Sequence, residues 1–336
     1  MRAREEALER LAMKRRQGLG GMSDDAFSEL RLAVGNDPES FVEDDEEWAF
    51  LSLAQALAAN EKARGGEDFL DDDAYEASRT RRLGKLTTAC KEALETSELC
   101  LDAATILALQ RDDAGERLEL LLTLASAWEA DHPSRGSSTP VSLACRSAGR
   151  QPKYEAWDDV FARPYLRLKA AVAREHLNTT RFVSAREACR ELVELSPSDP
   201  LGARYTWALV CARLEDEAGF DELDIMFDRR GNAWSHIARA LLMFKLDRMP
   251  AARRALRGYA RLCDGGSYAL LRPTFVEAYL PDRPAFGTGT FEEAALAVHE
   301  ADPVVVDTPD FIAWCSAQDG FAAEAQRYAE DHDLDW

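Results

Sequence analysis

The sequence predicts an all-α protein, in which an α-solenoid of helix pairs follows an additional N-terminal helical region. Two observations predict the fold class: apolar residues recur at helical spacing along most of the chain, and no segment shows the sustained alternation that is typical of strands. A third observation predicts the solenoid. The sequence becomes self-similar in its second half, and internal repetition of this length is typical of stacked helix pairs.

The N-terminal region contains three predicted helices. The helix expected over residues 46–63 has one apolar face, formed by Phe50, Leu53, Ala54, Leu57 and Ala58. An earlier helix is expected over 5–16, ending at the glycine-rich stretch 18–21. Ser23 is placed to cap a second helix. The stretch 18–21 is interpreted as a helix breaker, because the GK[ST] of a phosphate-binding loop does not follow it.

The chain divides into four predicted regions. Residues 1–73 form an acidic helical region, and residues 74–131 add three helical stretches that include a possible degenerate repeat. Residues 132–157 are predicted to be a loop or linker, because 132–154 contain three prolines, two glycines and five serines. Residues 158–336 are predicted to form the solenoid, with capping helices at the C-terminal end. Within them, Val304–Val306 is expected to be a buried turn.

Three repeat units can be aligned by an apolar-small pair and a residue that opens a second helix about twelve positions later. Small residues are needed where two paired helices approach closely, as they do in tetratricopeptide repeats. In the third unit the second helix marker arrives two residues late, which predicts a longer turn. The markers are Val172, Ala173 and Ala185; Val210, Cys211 and Leu223; and Ile237, Ala238 and Ala252.

Several strings in this half of the chain resemble a known family. Residues 163–167 read RPYLR, 195–199 read LSPSD and 202–205 read GARY. Strings of this kind, in this order, are similar to those of bacterial tetratricopeptide-repeat proteins related to the suppressor-of-tumorigenicity family. The resemblance covers about residues 163–317 and, more weakly, residues 93–108. It implies a tetratricopeptide-like helical fold, and the family carries no general catalytic assignment that could be transferred.

The acidic charge is confined to two segments. Residues 37–73 hold thirteen acids and two bases, and residues 300–336 hold ten acids and one base, which accounts for the net charge of −20. Acidic flanks repel phosphates, so nucleic acid is not expected as a partner. No apolar run is long enough to span a bilayer, and acids replace the apolar core of a signal peptide near the N-terminus. We therefore expect no membrane partner and a cytoplasmic location.

The composition does not indicate catalytic chemistry. The seven cysteines are widely spread without a CxxC pair, and the five histidines are single, so neither metal nor other cofactor is predicted. His176 is expected to be a core residue. The functional prediction is a protein-interaction scaffold or adaptor, with no enzyme activity. The alternative is an enzyme or a ligand- or metal-sensing protein with a site in the N-terminal helices, in which Asp71–Asp73 could bind Mg²⁺ or Ca²⁺.

The groove formed by the first helices of the repeats is the predicted binding site. Positions that line it in this fold give a partner-binding set of three arginines, a tyrosine and an asparagine: Arg167, Arg174, Tyr205, Asn232 and Arg239. Arginine offers forked donors to carboxylates, so the expected partner is an unidentified, acidic peptide or protein. The alternative is that some of these arginines pair with neighbouring acids.

A second basic feature lies on a different helix. Arg253, Arg257 and Arg261 follow one another at four-residue spacing. They are either a solvated helix face or a docking strip for an acidic partner, which could include the chain's own acidic segments. Self-association through exposed end helices is a further hypothesis.

Overall fold

The computed structural model describes residues 3–67, 70–131, 155–277 and 279–336. All regular elements in these ranges are helices, and the described chain contains no strand, which confirms the all-α prediction. None of the described helices is both long enough and apolar enough to cross a lipid bilayer. The predicted linker lies outside the described residues except for 155–157.

Six described α-helices lie before residue 132, and a short 3-10 helix (Pro38–Phe41) follows the second of them. They are α1 (Ala3–Leu19), α2 (Asp24–Asn36), α3 (Asp45–Arg64), α4 (Asp72–Thr96), α5 (Leu101–Leu109) and α6 (Ala114–Asp131). From residue 155 onward, a 3-10 turn (Ala156–Asp158) precedes ten more. They are α7 (Arg163–Asn178), α8 (Phe182–Leu195), α9 (Ala203–Leu214), α10 (Glu217–Met226), α11 (Ala233–Lys245), α12 (Met249–Leu262), α13 (Gly266–Leu271), α14 (Phe291–Val305), α15 (Phe311–Ser316) and α16 (Phe321–Asp331).

The described residues divide into two compact units. The first comprises residues 3–67, 70–112, 120–131 and 155–168, and the second comprises 113–119, 169–277 and 279–336.

In the first unit, α1 packs on α2 and α3, and α4 packs on α3 and α5. The side chains of Leu11, Val34, Leu51 and Ala54 belong to one buried cluster between the N-terminal helices. The predicted cap is confirmed, because the Ser23 hydroxyl accepts a hydrogen bond from the backbone N–H of Ala26. Helix α1 ends at Leu19, immediately before two glycines with positive φ, as expected of a helix breaker.

In the second unit, α9 packs on α8, α10 and α11, while α11 also packs on α12 and α14. The small residues predicted at the close approaches are fully buried, including Ala185, Cys211, Ala238 and Ala252. A Cβ at Gly258 would lie 2.6 Å from ring atoms of His236, so glycine permits the close approach of α12 to α11.

Two local predictions in the second unit are wrong. The turn between α11 and α12 has three residues, as does the turn between α7 and α8, so the two additional residues extend α11 and not the turn. The apolar residues that end α11 pack in the core and favour this longer helix. Val304–Val306 is not a buried turn either: α14 continues through Val305, and Val306 is 75% exposed.

Candidate functional site

A buried polar cluster in the second unit centres on Glu300, which lies on α14. Its carboxylate accepts hydrogen bonds from the indole N–H of Trp234 at 3.0 Å and from the Tyr279 hydroxyl at 2.5 Å. The guanidinium of Arg283 donates to the same carboxylate at 2.6 and 3.1 Å. Three donor groups therefore satisfy one buried acid, as a carboxylate removed from water requires.

Arg283 joins this cluster to the start of α9. Its Nη1 donates to the backbone carbonyl of Leu201 at 2.6 Å, and its guanidinium lies 5.0 Å from the ring centre of Tyr205. Only 8% of its side chain is exposed. Burial alone would lower the pKa of Arg283, but the adjacent Glu300 carboxylate outweighs it and the pKa is raised. Arg283 is therefore held as a buried cation.

The same electrostatics act on the groups around Arg283. Burial favours the neutral form of Glu300, yet Arg283 holds the pKa of this carboxyl below its usual value. Burial together with the nearby Glu300 charge raises the pKa of Tyr279, so its hydroxyl stays a hydrogen-bond donor. The cluster thus contains one ion pair and two neutral donors, the Tyr279 hydroxyl and the Trp234 indole N–H.

Arg174, on α7, contacts the non-helical segment 279–286, which contains Tyr279 and Arg283. Its Nη2 donates to the backbone carbonyl of Pro281 at 3.2 Å, and its guanidinium lies 4.9 Å from the ring centre of Tyr279. Burial, and then the charge of Arg283, lowers the pKa of Arg174. An arginine that donates to a backbone carbonyl binds the polypeptide independently of the side chain of the residue it contacts.

Aromatic rings continue the contact between the segment and the helices. Tyr205 stacks on Trp234 with ring centres 4.2 Å apart, and Phe286 lies 5.2 Å from Trp234. Trp234 is fully buried. Residues 279–286, which are not helical, are therefore held against α7, α9 and α11 by Arg174 at one end and, at the other, by the ring of Phe286, which is tilted against the rings of Tyr205 and Trp234.

Two of the predicted groove residues, Arg174 and Tyr205, thus contact the chain's own segment. The side chain of Asn232 has a different task, because it accepts from the backbone N–H of Ser235 at 2.9 Å and caps α11. Arg239 lies at the surface, where it pairs with Asp221 at 2.8 Å. Arg239 therefore pairs with a neighbouring acid, as the alternative prediction for the groove arginines stated.

Arg167, the remaining predicted groove residue, lies in the first unit. Its guanidinium is bound by Glu6 at 2.7 Å and by Asp102 at 2.5 Å, and its side chain is only 6% exposed. Burial raises the carboxyl pKa of Glu6, but the charge of Arg167 outweighs it and the pKa is lowered. Arg167 therefore holds the first unit together through a buried ion pair.

Sequence reasoning did not identify Glu300, Tyr279 or Arg283 as site residues. A signal for Glu300 is present: Glu293, Ala297, Glu300 and Val304 recur at helical spacing on the buried face of α14. Acids on an otherwise apolar helix face need partners. Glu293 also has them, since it accepts from the backbone N–H of Ala233 at 2.9 Å and of Gly289 at 2.6 Å.

The predicted arginine strip lies on α12. Arg253, Arg257 and Arg261 are exposed, and so is Arg254 beside them. The Nε of Arg253 donates to the side chain of Gln318 at 3.1 Å. Within the described residues, no carboxylate lies within ion-pair distance of these four arginines. We refer to Arg253, Arg254, Arg257 and Arg261 as the α12 strip.

Asp71, His176 and the described cysteines, which were considered for metal binding or catalysis, have structural roles. Asp71 caps α4 by accepting from the backbone N–H of Ala74, and no group of His, Cys, Asp or Glu in the described residues could hold a metal ion. His176 is 8% exposed, as expected of a core residue. The six described cysteines are buried, and burial raises the pKa of the Cys211 thiol to about 12. A buried thiol of this kind is a poor nucleophile.

No protein-family model, no curated protein and no solved structure matches this chain. The resemblance to the suppressor-of-tumorigenicity family therefore stays a prediction from the strings at 163–167, 195–199 and 202–205.

Proposed function

We propose that this chain is a non-catalytic scaffold, built on degenerate tetratricopeptide-like helix pairs, which binds a polypeptide partner. One observation carries the proposal. The helices α7, α9 and α11 hold residues 279–286 as a non-helical stretch of polypeptide, through an arginine on a backbone carbonyl and through the contact of Phe286 with the rings of Tyr205 and Trp234. Solenoid repeat proteins bind their ligands on extended concave surfaces, which can accommodate such a stretch.

The packing of the second unit supports a solenoid of such pairs. In this unit α8 packs on α9, α9 on α10 and α11 on α12, and the first helices α9 and α11 also pack on each other. Small residues are buried at the aligned positions of the three predicted units. The proposal includes a bacterial cytoplasmic location, which the family-like strings and the reduced, buried cysteines favour.

The chain's own segment has a consequence for where a partner binds. Displacing residues 279–286 would carry Arg283 away and leave the buried carboxylate of Glu300 without its counter-ion, which costs several kcal/mol. A partner would need to repay that cost before gaining any affinity. The proposed scaffold therefore keeps the segment in place and binds its partner on an exterior surface.

Cross-linking of the full chain in cells of its native organism tests this function. We expect a polypeptide to be captured, and we expect that polypeptide, once purified, to bind the full chain saturably in isothermal titration calorimetry. A thermal-shift screen with divalent cations and nucleotides is the matched comparison, because a ligand of the folded state raises the melting temperature. A shift with one of these small ligands, combined with no saturable polypeptide binding, would replace the scaffold by a sensor or an enzyme.

A further inference from the structure

The α12 strip carries positive charge that its own surroundings do not neutralise. Some bases at the surface of the second unit are paired: Arg190 with Glu194, Arg239 with Asp221 and Arg248 with Glu217. The four arginines of the α12 strip have no such partner in the described chain, although the protein has a net charge of −20. The α12 strip is therefore a positively charged patch on a protein whose net charge is negative.

The strip has a regular geometry. Arg253, Arg257 and Arg261 lie four residues apart on one helix, so their Cα atoms advance about 6 Å along the axis at each step. The opposite face of α12 is buried through Ala252, Ala255, Leu256 and Tyr259, which anchor the helix. The helix that carries the guanidinium groups is therefore held in place, which limits the conformational entropy lost when they bind a ligand.

The same spacing describes the ligand that fits. A helix with acids every fourth residue presents carboxylates at the same interval of about 6 Å. Arginine forks bind carboxylates with two parallel hydrogen bonds.

The acids in the first segment of this chain are poor occupants, because several are already paired within the first unit. Asp44 pairs with Lys14 at 2.5 Å, and Glu67 pairs with Arg82 at 2.8 Å. Their use by a second copy would require breaking these ion pairs. A different polypeptide does not carry that cost.

We infer that the α12 strip is the docking surface of the proposed scaffold and that it binds an acidic helical segment of a partner protein. This inference rests on the proposed function and specifies the chemistry of the partner. It commits to carboxylates repeated on one helix face, and not to a phosphate backbone or a second copy of this chain.

The probe is a fluorescent alanine-based peptide with Glu at every fourth position. A second peptide has the same composition, with its Glu residues spread around the helix. The full chain should bind the first peptide more tightly, and the triple change R253E, R257E and R261E should weaken that binding about tenfold or more, since each exposed pair contributes a few-fold. Affinity should fall as salt rises.

A matched control reverses the same amount of charge on another exposed helix, α4, through R81E, K85E and K91E. This variant should bind the first peptide like the unchanged chain. Circular dichroism should show equal helix content for both triple variants. Equal weakening by both, or no preference between the two peptides, would overturn the inference.

Two further measurements exclude the other occupants. Single-stranded DNA of the same charge should bind more weakly than the first peptide, and sedimentation velocity should give the same mass for the unchanged chain and for the reversed α12 variant. Tighter DNA binding, or a larger assembly that the reversal dissolves, would contradict the inference. If the purified cellular partner binds the reversed variant undiminished, the docking surface is wrong while the scaffold function stands.

Discussion

Arg283 and Arg257 belong to the same unit and carry the same charge, but their surroundings are opposite. Arg283 is buried against Glu300 and two aromatic rings, whereas Arg257 is exposed and has no acid within reach among the described residues. The buried arginine attaches the chain's own segment to the helices. The exposed one leaves charge available to another molecule. The comparison teaches that the distribution of acids around an arginine, and not the number of arginines, separates a structural role from a binding role.

The two environments also differ in what a substitution would cost. A buried ion pair contributes little net stability when both partners are present, but removing one partner leaves an uncompensated charge without water. An exposed arginine keeps its hydration after any change nearby. Stability measurements should therefore report on the buried cluster, and binding measurements should report on the α12 strip.

The largest expected effect follows from Glu300→Gln. Removing this charge leaves Arg283 as a buried cation without its counter-ion, which should lower the free energy of unfolding by about 4–5 kcal/mol. Urea unfolding followed by circular dichroism measures the change. Asp302→Asn, on the exposed face of the same helix, should stay within about 0.5 kcal/mol of the unchanged chain. Equal effects of the two changes would show that Glu300 has no special role.

Two members of the predicted groove set, Arg167 and Arg239, should differ in how much stability is lost when each is replaced. Arg167→Met keeps an apolar stem but strands the buried carboxylates of Glu6 and Asp102, and should cost about 3–4 kcal/mol. Arg239→Met breaks only exposed pairs and should cost less than about 1 kcal/mol. Chemical denaturation of both variants checks the difference. A small loss for Arg167→Met would mean that the first unit tolerates the unpaired acids.

A pH-dependent effect of intermediate size is expected at Asp199, whose carboxylate accepts from the backbone N–H groups of Ala203 and Arg204. Burial raises the pKa of Asp199 to about 6 from 3.8. Because the folded pKa is higher than the unfolded one, the contribution of Asp199 to stability is present below pH 4 and is lost as pH rises through about 6.

The difference in unfolding free energy between the unchanged chain and Asp199→Asn should therefore shrink by about 2 kcal/mol between pH 4 and pH 7. Urea unfolding at several pH values measures it. A difference that stays constant over this range, or that grows with pH, would indicate that the hydrogen bonds to the backbone outweigh burial at this carboxyl.

The smallest effect on stability is expected at the α12 strip. Arg257→Ala removes no ion pair and replaces arginine with the best helix former, so the free energy of unfolding should change by less than about 0.5 kcal/mol. The same variant should bind the acidic peptide of regular spacing a few-fold more weakly. Thermal unfolding and fluorescence anisotropy on one protein sample test both statements. A large loss of stability would assign Arg257 to the fold.

Helix positions could be predicted because their signals are local. The spacing of apolar residues located α3, and Ser23 identified the start of α2 from its own hydroxyl. The small residues of the repeat units marked buried positions, since a close helix approach excludes larger side chains. The groove residues were a different kind of prediction. They assumed that the face of the first helices is open to solvent.

That assumption does not hold for Arg174 and Tyr205, because residues 279–286 lie against them. The contact joins residues about a hundred positions apart, and no local pattern in the segment indicates which helices it meets. The role of Asn232 also depends on its position. It directly precedes α11, where an asparagine side chain caps the helix.

The sequence by itself determined the helical class, the start of α2, the extent of α3, the small residues at close approaches and the confinement of acid to two segments. Each of these depends on neighbours along the chain, through helix periodicity, capping and local charge. Only the tertiary structure decided which arginines are neutralised. Charge pairing requires atoms within about 4 Å, and residues as distant in sequence as Arg167 and Glu6 reach that distance only after the helices have packed.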